Sequence, residues 1–316
     1  MQTTNSVLMV RPTAFHANPE TMLSNYFQKT LNGVVDISQQ AQSAFDAYVD
    51  ALRQVGVDVT VIYDIASHET PDSLFPNNWI AMLENETIFT FPMEALNRRR
   101  ERREDIIAKI RNEFVVSKLI DLSPYESKGL FFEGTGSLIL DHDHKHAYVC
   151  RSSRSSNIVG QEFEHLSGYN IFWFDARDRH GNAIYHTNVM MSIGTHFVIV
   201  CLESLPCKDE RKQLSILLET SGKTIIDVTF DQMEQFTCNV LELKNQTGHP
   251  VYAMSTRAWN AFTPAQQKMI ADYAYLALAP IDIIEDLGGG GARCMLAEIF
   301  LEKQYLSKPT SSLSFG

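Results

Sequence analysis

The sequence lacks the marks of a membrane, secreted or nucleic-acid-binding protein. No apolar run approaches the ~20 residues that cross a bilayer, and the N-terminus has no basic and apolar signal regions. Lysine and arginine total 27 against 38 acidic residues, so the net charge of −11 argues against nucleic acid as the main partner. We therefore expect a cytoplasmic protein with no membrane and no nucleic-acid partner.

Cysteine is also scarce. The five cysteines are odd in number, widely scattered and free of any Cys-x-x-Cys pair: Cys150, Cys201, Cys207, Cys238 and Cys294. This pattern favours reduced thiols over a disulfide framework or a structural zinc site. At 316 residues and 44% hydrophobic, the chain can build an ample core, and its length alone suggests about two domains.

Glycine, by contrast, is concentrated near the C-terminus, where Gly288–Gly291 lead through Ala292 and Arg293 to Cys294. Glycine allows a positive φ and a close approach of the backbone to a ligand, which a packed strand rarely needs. The run therefore predicts that Cys294 is presented to a ligand.

Segments of one type recur along the chain at a nearly constant spacing. In each, small or polar residues lead into an apolar strand: Phe75–Met82, Phe132–Ile139, Tyr185–Met191, Phe236–Leu241 and Gly291–Leu296. Asn78 and Glu133 are 55 positions apart, Glu133 and His186 are 53 apart, and His186 and Cys294 are 108 apart, twice 54. A fixed period of this size indicates a repeat architecture.

Each repeat reads as strand, turn, strand, helix and strand. Second strands are predicted at 147–150 and 196–200, a helix begins with Thr263 and Pro264 as N-cap and first turn, and third strands are predicted at 223–228 and 281–284.

The last repeat has only its first strand, at 295–299, and the N-terminus supplies a strand at 7–10, a helix at about 40–55 and a strand at 57–61. Pairing the two ends would close a ring of five ββαβ units around one axis. We therefore predict an α/β fold forming a single closed domain over 1–316, with a frayed tail at 308–316.

Equivalent positions in a ring point toward the same central place, and here they carry polar and nucleophilic side chains: Asn78, Glu133, His186, Asn188 and Cys294. A cysteine thiolate is a nucleophile, an imidazole can take its proton or pair with it, and a carboxylate can orient another group. Each residue alone is more typical of a structural role, and the shared register favours a catalytic one.

The set resembles the guanidine-modifying (pentein, amidinotransferase-like) superfamily over essentially the whole chain. The resemblance rests on Pro71–Asn78, Glu133–Gly136, His186–Asn188 and Gly288–Cys294. The segments Met9–Phe15 and Asn18–Thr21 look more specifically like its citrulline-utilisation hydrolases. The resemblance implies the pentein fold, a five-bladed α/β propeller, with Cys294 as nucleophile, His186 as acid/base and Glu133 as orienting carboxylate. Asp72 and Asn77 join Asn78 and Asn188 as expected substrate-binding residues.

The chain departs from that pattern at Asn78 and Asn188, where deiminases of the superfamily typically have aspartates that hold a guanidinium. A guanidinium has only N–H donors and a full charge, whereas a neutral ureido group also has an acceptor oxygen that an asparagine can bind. Losing two anions beside a buried cation should cost on the order of 2–5 kcal/mol. The substitutions favour citrulline over arginine. The common Glu-Gly-Gly-Asp also appears here as Glu-Gly-Thr-Gly-Ser, from Glu133 to Ser137.

We therefore expect hydrolysis of citrulline to ornithine, ammonia and carbon dioxide through a thiocarbamoyl enzyme, with no metal and no organic cofactor. The partner would be a small amino-acid substrate, and a homo-oligomer is allowed for. An arginine would bind the substrate carboxylate, with Arg154 first and Arg11 and Arg293 as weaker candidates. Alternatives are an arginine or substituted-arginine deiminase or dihydrolase, an amidinotransferase, and a non-catalytic binding member of the fold.

Two other polar runs are not assigned a ligand. The basic run at 97–105 is interleaved with acids and followed by two isoleucines, which predicts the solvated face of an amphipathic helix. The run at 141–146 alternates aspartate and histidine at a predicted hairpin tip and lacks distant partner ligands, so we expect a polar turn.

Overall fold

Five three-stranded sheets of one topology make up the fold of the described residues, which are 1–22, 25–29 and 36–304 of a computed structural model. In each sheet the middle strand pairs antiparallel with one neighbour and parallel with the other. The strands are β1 Ser6–Arg11, β2 Asp58–Tyr63, β3 Ile80–Leu83, β4 Thr87–Thr90, β5 Lys118–Asp121, β6 Ile139–Asp141, β7 His146–Cys150, β8 Asn170–Phe174, β9 Met191–Ile193, β10 Phe197–Val200, β11 Thr224–Asp227, β12 Leu241–Lys244, β13 Pro250–Ser255, β14 Tyr275–Ala279 and β15 Ala297–Glu298.

The described residues have two kinds of helix: those in the crossovers that the parallel strand pairs require, and short ones that connect one sheet to the next. They are α1 Ile37–Gln54, α2 Glu104–Glu113, α3 Gly134–Ser137, α4 Asn157–Ser167, α5 Lys208–Thr220, α6 Phe230–Met233, α7 Thr256–Ala261, α8 Pro264–Tyr273 and α9 Asp282–Gly288. The long helix α1 buries Phe45, Tyr48 and Leu52 against the first and fifth sheets. The α/β class and the repeated strand, turn, strand, helix, strand order are confirmed.

The two ends of the chain share the first sheet, in the order β15-β1-β2. Val7 lies opposite Glu298 in the antiparallel β1–β15 pair, as the sequence predicts. Backbone contacts link this sheet to the second, through a bridge between Met82 and Ile299, and to the fifth, where Lys244 N donates to Thr4 O at 3.0 Å. The first and the last strand of the described chain, β1 and β15, are therefore neighbours in one sheet.

Most predicted elements lie within a few residues of their observed bounds. The predicted helix at 40–55 is α1, and Thr263 caps α8 with Pro264 in its first turn. The strand predicted at 281–284 is wrong, because these residues begin α9 and the strand is β14. Ile281 and Ile284 are both fully buried, and a spacing of three places them on one helical face.

The last predicted strand, 295–299, is shortened to β15 because Ala292–Met295 form a 3-10 turn. The predicted tail at 308–316 lies outside the described residues. All five cysteines fall within the described part and are free thiols. No helix of that part is long and apolar enough to cross a membrane.

Candidate active site

The candidate site is built from short turns that lead into the first strand of each sheet. Asn78 ends a 3-10 turn before β3, Glu133 precedes α3 and β6, and Asn188 lies in a 3-10 turn before β9. Cys294 lies in the turn before β15. Since the sheets repeat, these turns occur at the same place in each unit, and the structure brings their side chains together.

His186 and Glu133 form a buried pair, with His186 Nε2 and Glu133 Oε2 2.7 Å apart. Burial alone would raise the pKa of Glu133, but Arg154 and His186 outweigh it and hold that pKa well below its usual range. Burial lowers the pKa of His186 to about 4. At neutral pH the imidazole is therefore neutral, donates from Nε2 to the carboxylate, and keeps Nδ1 as a proton acceptor.

Glycine in the α3 turn lets neighbouring residues come close to this pair. A Cβ on Gly136 would lie 2.3 Å from Asn78 Nδ2 and 2.9 Å from His186 Nδ1. Gly134 has a φ of +45°, and its Cβ would lie 2.4 Å from Asn77 O. The sequence Glu-Gly-Thr-Gly-Ser thus keeps glycine at the two positions where this packing requires it.

Two asparagine amides hold the Cys294 sulfur. Asn188 Nδ2 and Asn239 Nδ2 each donate to Sγ at 3.2 Å, and the cysteine is 4% exposed. Of the four glycines before it, Gly289 has a positive φ, at +64°. Gly288 lies against the Phe75 ring, where a Cβ would come within 2.8 Å. The glycine run is thus needed mainly for close packing.

Burial raises the pKa of the Cys294 thiol, while Asn239, Arg293 and Asn188 oppose this shift without cancelling it. At neutral pH the site therefore combines a protonated thiol with a neutral imidazole, and both groups line the same cavity. Such a pair differs from a preformed thiolate–imidazolium ion pair.

We expect iodoacetamide to alkylate Cys294 slowly at neutral pH and progressively faster above pH 9, because burial raises the thiol pKa above its ordinary value of 9.0. Mass spectrometry of the Cys294 peptide between pH ~6 and ~10 measures the rate. The exposed Cys207 in the same samples controls for the reagent. Fast alkylation with a plateau below pH 7 would instead show a preformed ion pair.

Polar groups line a narrow cavity at this centre: Thr21, Asn25, Asp72, Asn78, Arg98, Arg154, Tyr185, His186 and Cys294, with Phe75 and Gly288–Gly290. Asp72 Oδ2 accepts from Asn18 at 2.7 Å, while its buried Oδ1 has no hydrogen-bond partner among the described residues. Arg154 donates to Glu133 at 3.4 Å and lies 5.0 Å over the Tyr185 ring. The cavity is thus lined by an acidic side chain, Asp72, and a basic one, Arg154.

Arg98 orients Asn78 in this cavity. Its NH1 donates to Asn78 Oδ1 at 2.9 Å, which leaves Asn78 Nδ2 buried without a described partner. Arg98 itself is 3% exposed and forms a two-point pair with Glu101 at 2.9 and 3.0 Å. The predicted solvated face is therefore wrong for this residue. The three-residue spacing of arginine and glutamate could have indicated a local pair.

Other predicted residues lie outside the cavity. Arg11 pairs with Asp46 at 2.8 Å on the surface, and Arg293 binds Glu298 at 2.9 Å on β15. Asn77 is fully buried beside α3, with both side-chain polar atoms unpartnered among the described residues. The structure therefore does not bring Arg11, Arg293 or Asn77 to the candidate substrate cavity.

Sequence reasoning missed Asn239, which contacts the sulfur. It lies 55 positions before Cys294 and 51 after Asn188, so the repeat register could have found it. No group of three or more histidines, cysteines or carboxylates that could hold a metal occurs among the described residues. His144 Nδ1 contacts the carboxylate of Asp141 at 3.0 Å, within a local turn.

Solved structures share this fold. The N-terminal domain of ArgZ, an arginine dihydrolase from Cyanobacteria, shows 13% identity and a TM-score of 0.71, over 93% of this chain and 97% of that domain. A dimethylarginine dimethylaminohydrolase adduct with S-methyl-L-thiocitrulline shows 15% identity and a TM-score of 0.65, over 95% of this chain and all of that one. Unliganded AgrE shows 15% identity and a TM-score of 0.69, over 93% of this chain.

This chain spans 39% of AgrE and 40% of full-length ArgZ. The fold and the sequence similarity together define a pentein guanidino-modifying hydrolase, a class that acts on C–N bonds. The family model "N,N dimethylarginine dimethylhydrolase, eukaryotic" matches residues 11–301, and the chain belongs to that family. No curated protein sequence matches the chain significantly.

Proposed function

We propose that this protein hydrolyses citrulline to ornithine, ammonia and carbon dioxide, with Cys294 as nucleophile, His186 as acid/base and Glu133 as the carboxylate that orients it. In this proposal the five sheets form a five-bladed propeller around the cavity, within a single cytoplasmic catalytic domain. A thiol and an imidazole that line one cavity, with a buried carboxylate paired to the imidazole, support the chemistry.

The orientation of Asn78 carries the choice of citrulline. Because Arg98 NH1 donates to Asn78 Oδ1, the N–H donors of Asn78 Nδ2 are left without a described partner in a residue that lines the cavity. A guanidinium has no acceptor for such a donor, whereas the ureido group of citrulline has a carbonyl oxygen. The site is thus prepared for a neutral, oxygen-bearing group at this point.

Asn188 supplies the complementary acceptor. Its Nδ2 is engaged with the Cys294 sulfur, while its buried Oδ1 has no described partner. Asn188 contacts the sulfur without itself lining the cavity, and we propose that its oxygen accepts from the terminal NH₂ of a ureido group held at the sulfur. One amide donor and one amide acceptor match a urea without adding a negative charge.

The amino-acid end of citrulline fits the charged side of the cavity. The unpartnered Asp72 Oδ1 can accept from the substrate α-ammonium. Burial raises the pKa of Asp72, and Arg98 only partly offsets this, so a bound cation would stabilise its carboxylate. Arg154 remains our candidate for the α-carboxylate, because it brings a positive charge to the cavity wall.

The proposed reaction has two stages. His186 Nδ1 takes the Cys294 proton as the sulfur attacks the ureido carbon, and then gives it to the leaving nitrogen, releasing ornithine. Water, deprotonated by His186, attacks the thiocarbamoyl carbon, and the sulfur leaves with the proton from His186. The product carbamate decomposes to ammonia and carbon dioxide. Glu133 keeps the imidazole oriented throughout.

Arginine dihydrolysis is the second candidate. ArgZ, which shares the fold, is an arginine dihydrolase, and this chain belongs to a family named for dimethylarginine hydrolysis. The buried carboxylate of Glu133 would be the group here that favours a guanidinium.

Product analysis tests the proposal. The pure protein is incubated separately with citrulline, arginine and N,N-dimethylarginine, and amino acids and ammonia are quantified. We expect ornithine and ammonia from citrulline, with little turnover of arginine. Ornithine from arginine at a higher kcat/KM would overturn the assignment in favour of the second candidate. Citrulline as the product from arginine or from N,N-dimethylarginine would overturn it in favour of a deiminase or a dimethylarginine hydrolase.

A further inference from the structure

We propose that Asn239 is a further catalytic residue, whose side-chain amide, together with that of Asn188, holds the reactive sulfur and stabilises it as a thiolate. The inference rests on the proposed role of Cys294 as nucleophile and is independent of which substrate is hydrolysed.

The contacts of Asn239 fix the direction of its amide. Its Oδ1 accepts from the Cys294 backbone N–H at 3.3 Å, while its Nδ2 donates both to Sγ at 3.2 Å and to Asn188 O at 3.0 Å. These contacts leave a single arrangement of the amide nitrogen and oxygen. The N–H donor must therefore face the sulfur in the resting site.

Two amide donors on one sulfur favour the charged form of that sulfur. A thiol is a weak acceptor, whereas a thiolate is an anion and receives charge-assisted hydrogen bonds. The donors are already in place in a nearly fully buried site, so little reorganisation is needed when the charge develops. They would act when the thiol loses its proton and again when the sulfur leaves the thiocarbamoyl group.

Backbone hydrogen bonds hold Asn239 in place, and with it the Nδ2 donor that contacts the sulfur. Its backbone oxygen accepts from Arg293 N at 3.1 Å, its backbone nitrogen donates to Phe236 O at 2.9 Å, and the residue is 1% exposed. It lies just before β12, at the place in its repeat that Asn78 and Asn188 occupy in theirs. Asn239 therefore links the turn before β12 to the turn that contains Cys294, through the backbone nitrogen and the sulfur of that cysteine.

Asn239→Asp tests the proposal, because it preserves the side-chain volume and the acceptor for Cys294 N–H but removes the N–H donor from the sulfur. We expect iodoacetamide alkylation of Cys294 to shift to higher pH, with a rate at pH 8 lower by about tenfold or more, and kcat to fall by on the order of 10²-fold. Asn239→Ala should shift alkylation in the same direction by less, because it adds no carboxylate beside the sulfur.

Gln235→Ala, on the exposed part of the preceding turn, is the matched control and should leave both measurements unchanged. Circular dichroism and the thermal transition report whether each variant folds. If the alanine variant does not fold, the alkylation profile of the volume-conserving aspartate variant tests the proposal by itself. An unshifted alkylation profile in folded Asn239→Asp overturns the proposal. If the parent protein does not hydrolyse citrulline but Asn239→Asp still shifts the pH profile of Cys294 alkylation, the role of Asn239 is supported and the proposed substrate is refuted.

Discussion

Cys294→Ala is expected to lower kcat for citrulline by on the order of 10⁴-fold or more, since no other cysteine of the described residues lines the cavity. The substitution removes one buried sulfur and leaves the His186–Glu133 pair intact, so the protein should still fold and bind substrate. Ornithine release under substrate saturation, followed with the pure variant, measures the loss. Isothermal titration with citrulline measures the retained binding.

Cys207→Ala is the matched control, because Cys207 is an exposed cysteine that also lies in the described structure. Its kcat and KM should stay within about twofold of the parent values, as is usual for surface substitutions. Substantial citrulline hydrolysis by Cys294→Ala would exclude covalent catalysis by this residue. Loss of binding together with turnover would point to a structural role for the sulfur.

Asn78→Asp should reverse the preference between neutral and cationic substrates. The variant keeps an oxygen for Arg98 but replaces the free N–H donor with a second carboxylate oxygen. We expect kcat/KM for citrulline to fall by on the order of 10²–10³-fold, because the ureido oxygen then faces an anion instead of a donor. Binding of arginine should strengthen, because a guanidinium pairs with a carboxylate.

The comparison requires both substrates to be assayed on the same preparations. Asn85→Asp, in the exposed turn between β3 and β4, adds the same charge away from the cavity and controls for net charge. An Asn78→Asp variant with unchanged kcat/KM for citrulline and unchanged binding of arginine would show that Asn78 does not determine substrate preference. The argument from the amide orientation would then fail.

The repeat register predicts the turns that line the cavity, because residues at one position of repeated units face the same way. It places Asn78, Glu133, His186 and Cys294 together without any knowledge of the fold. The same register also contains Asn239, which requires only that every unit be inspected for a polar residue at that position. The position of Asn239 in the site is therefore predictable from the repeat register of the sequence.

Other features depend on tertiary contacts that no local pattern carries. Arg98 is buried because Glu101 neutralises it and Asn78 accepts from it, and the surrounding charges make the run look solvated. Arg293 adjoins the nucleophile in sequence, yet its side chain turns to Glu298 on β15. Ile281 and Ile284 satisfy both a strand and a helix pattern, and only their common buried face decides between the two.

The first sheet makes the position of the cysteine turn depend on a pairing between strands that are far apart in sequence. Val7 meets Glu298 across 291 positions of chain, so the last sheet pairing closes the longest loop in the fold. Closing such a loop carries an entropic cost that local contacts cannot offset beforehand. Cys294 lies only three positions before β15, so its turn can be held beside β1 only after the chain from β1 through β15 has been made. Chains that stop short of β15 would therefore lack the pairing that holds the cysteine turn beside the other repeats.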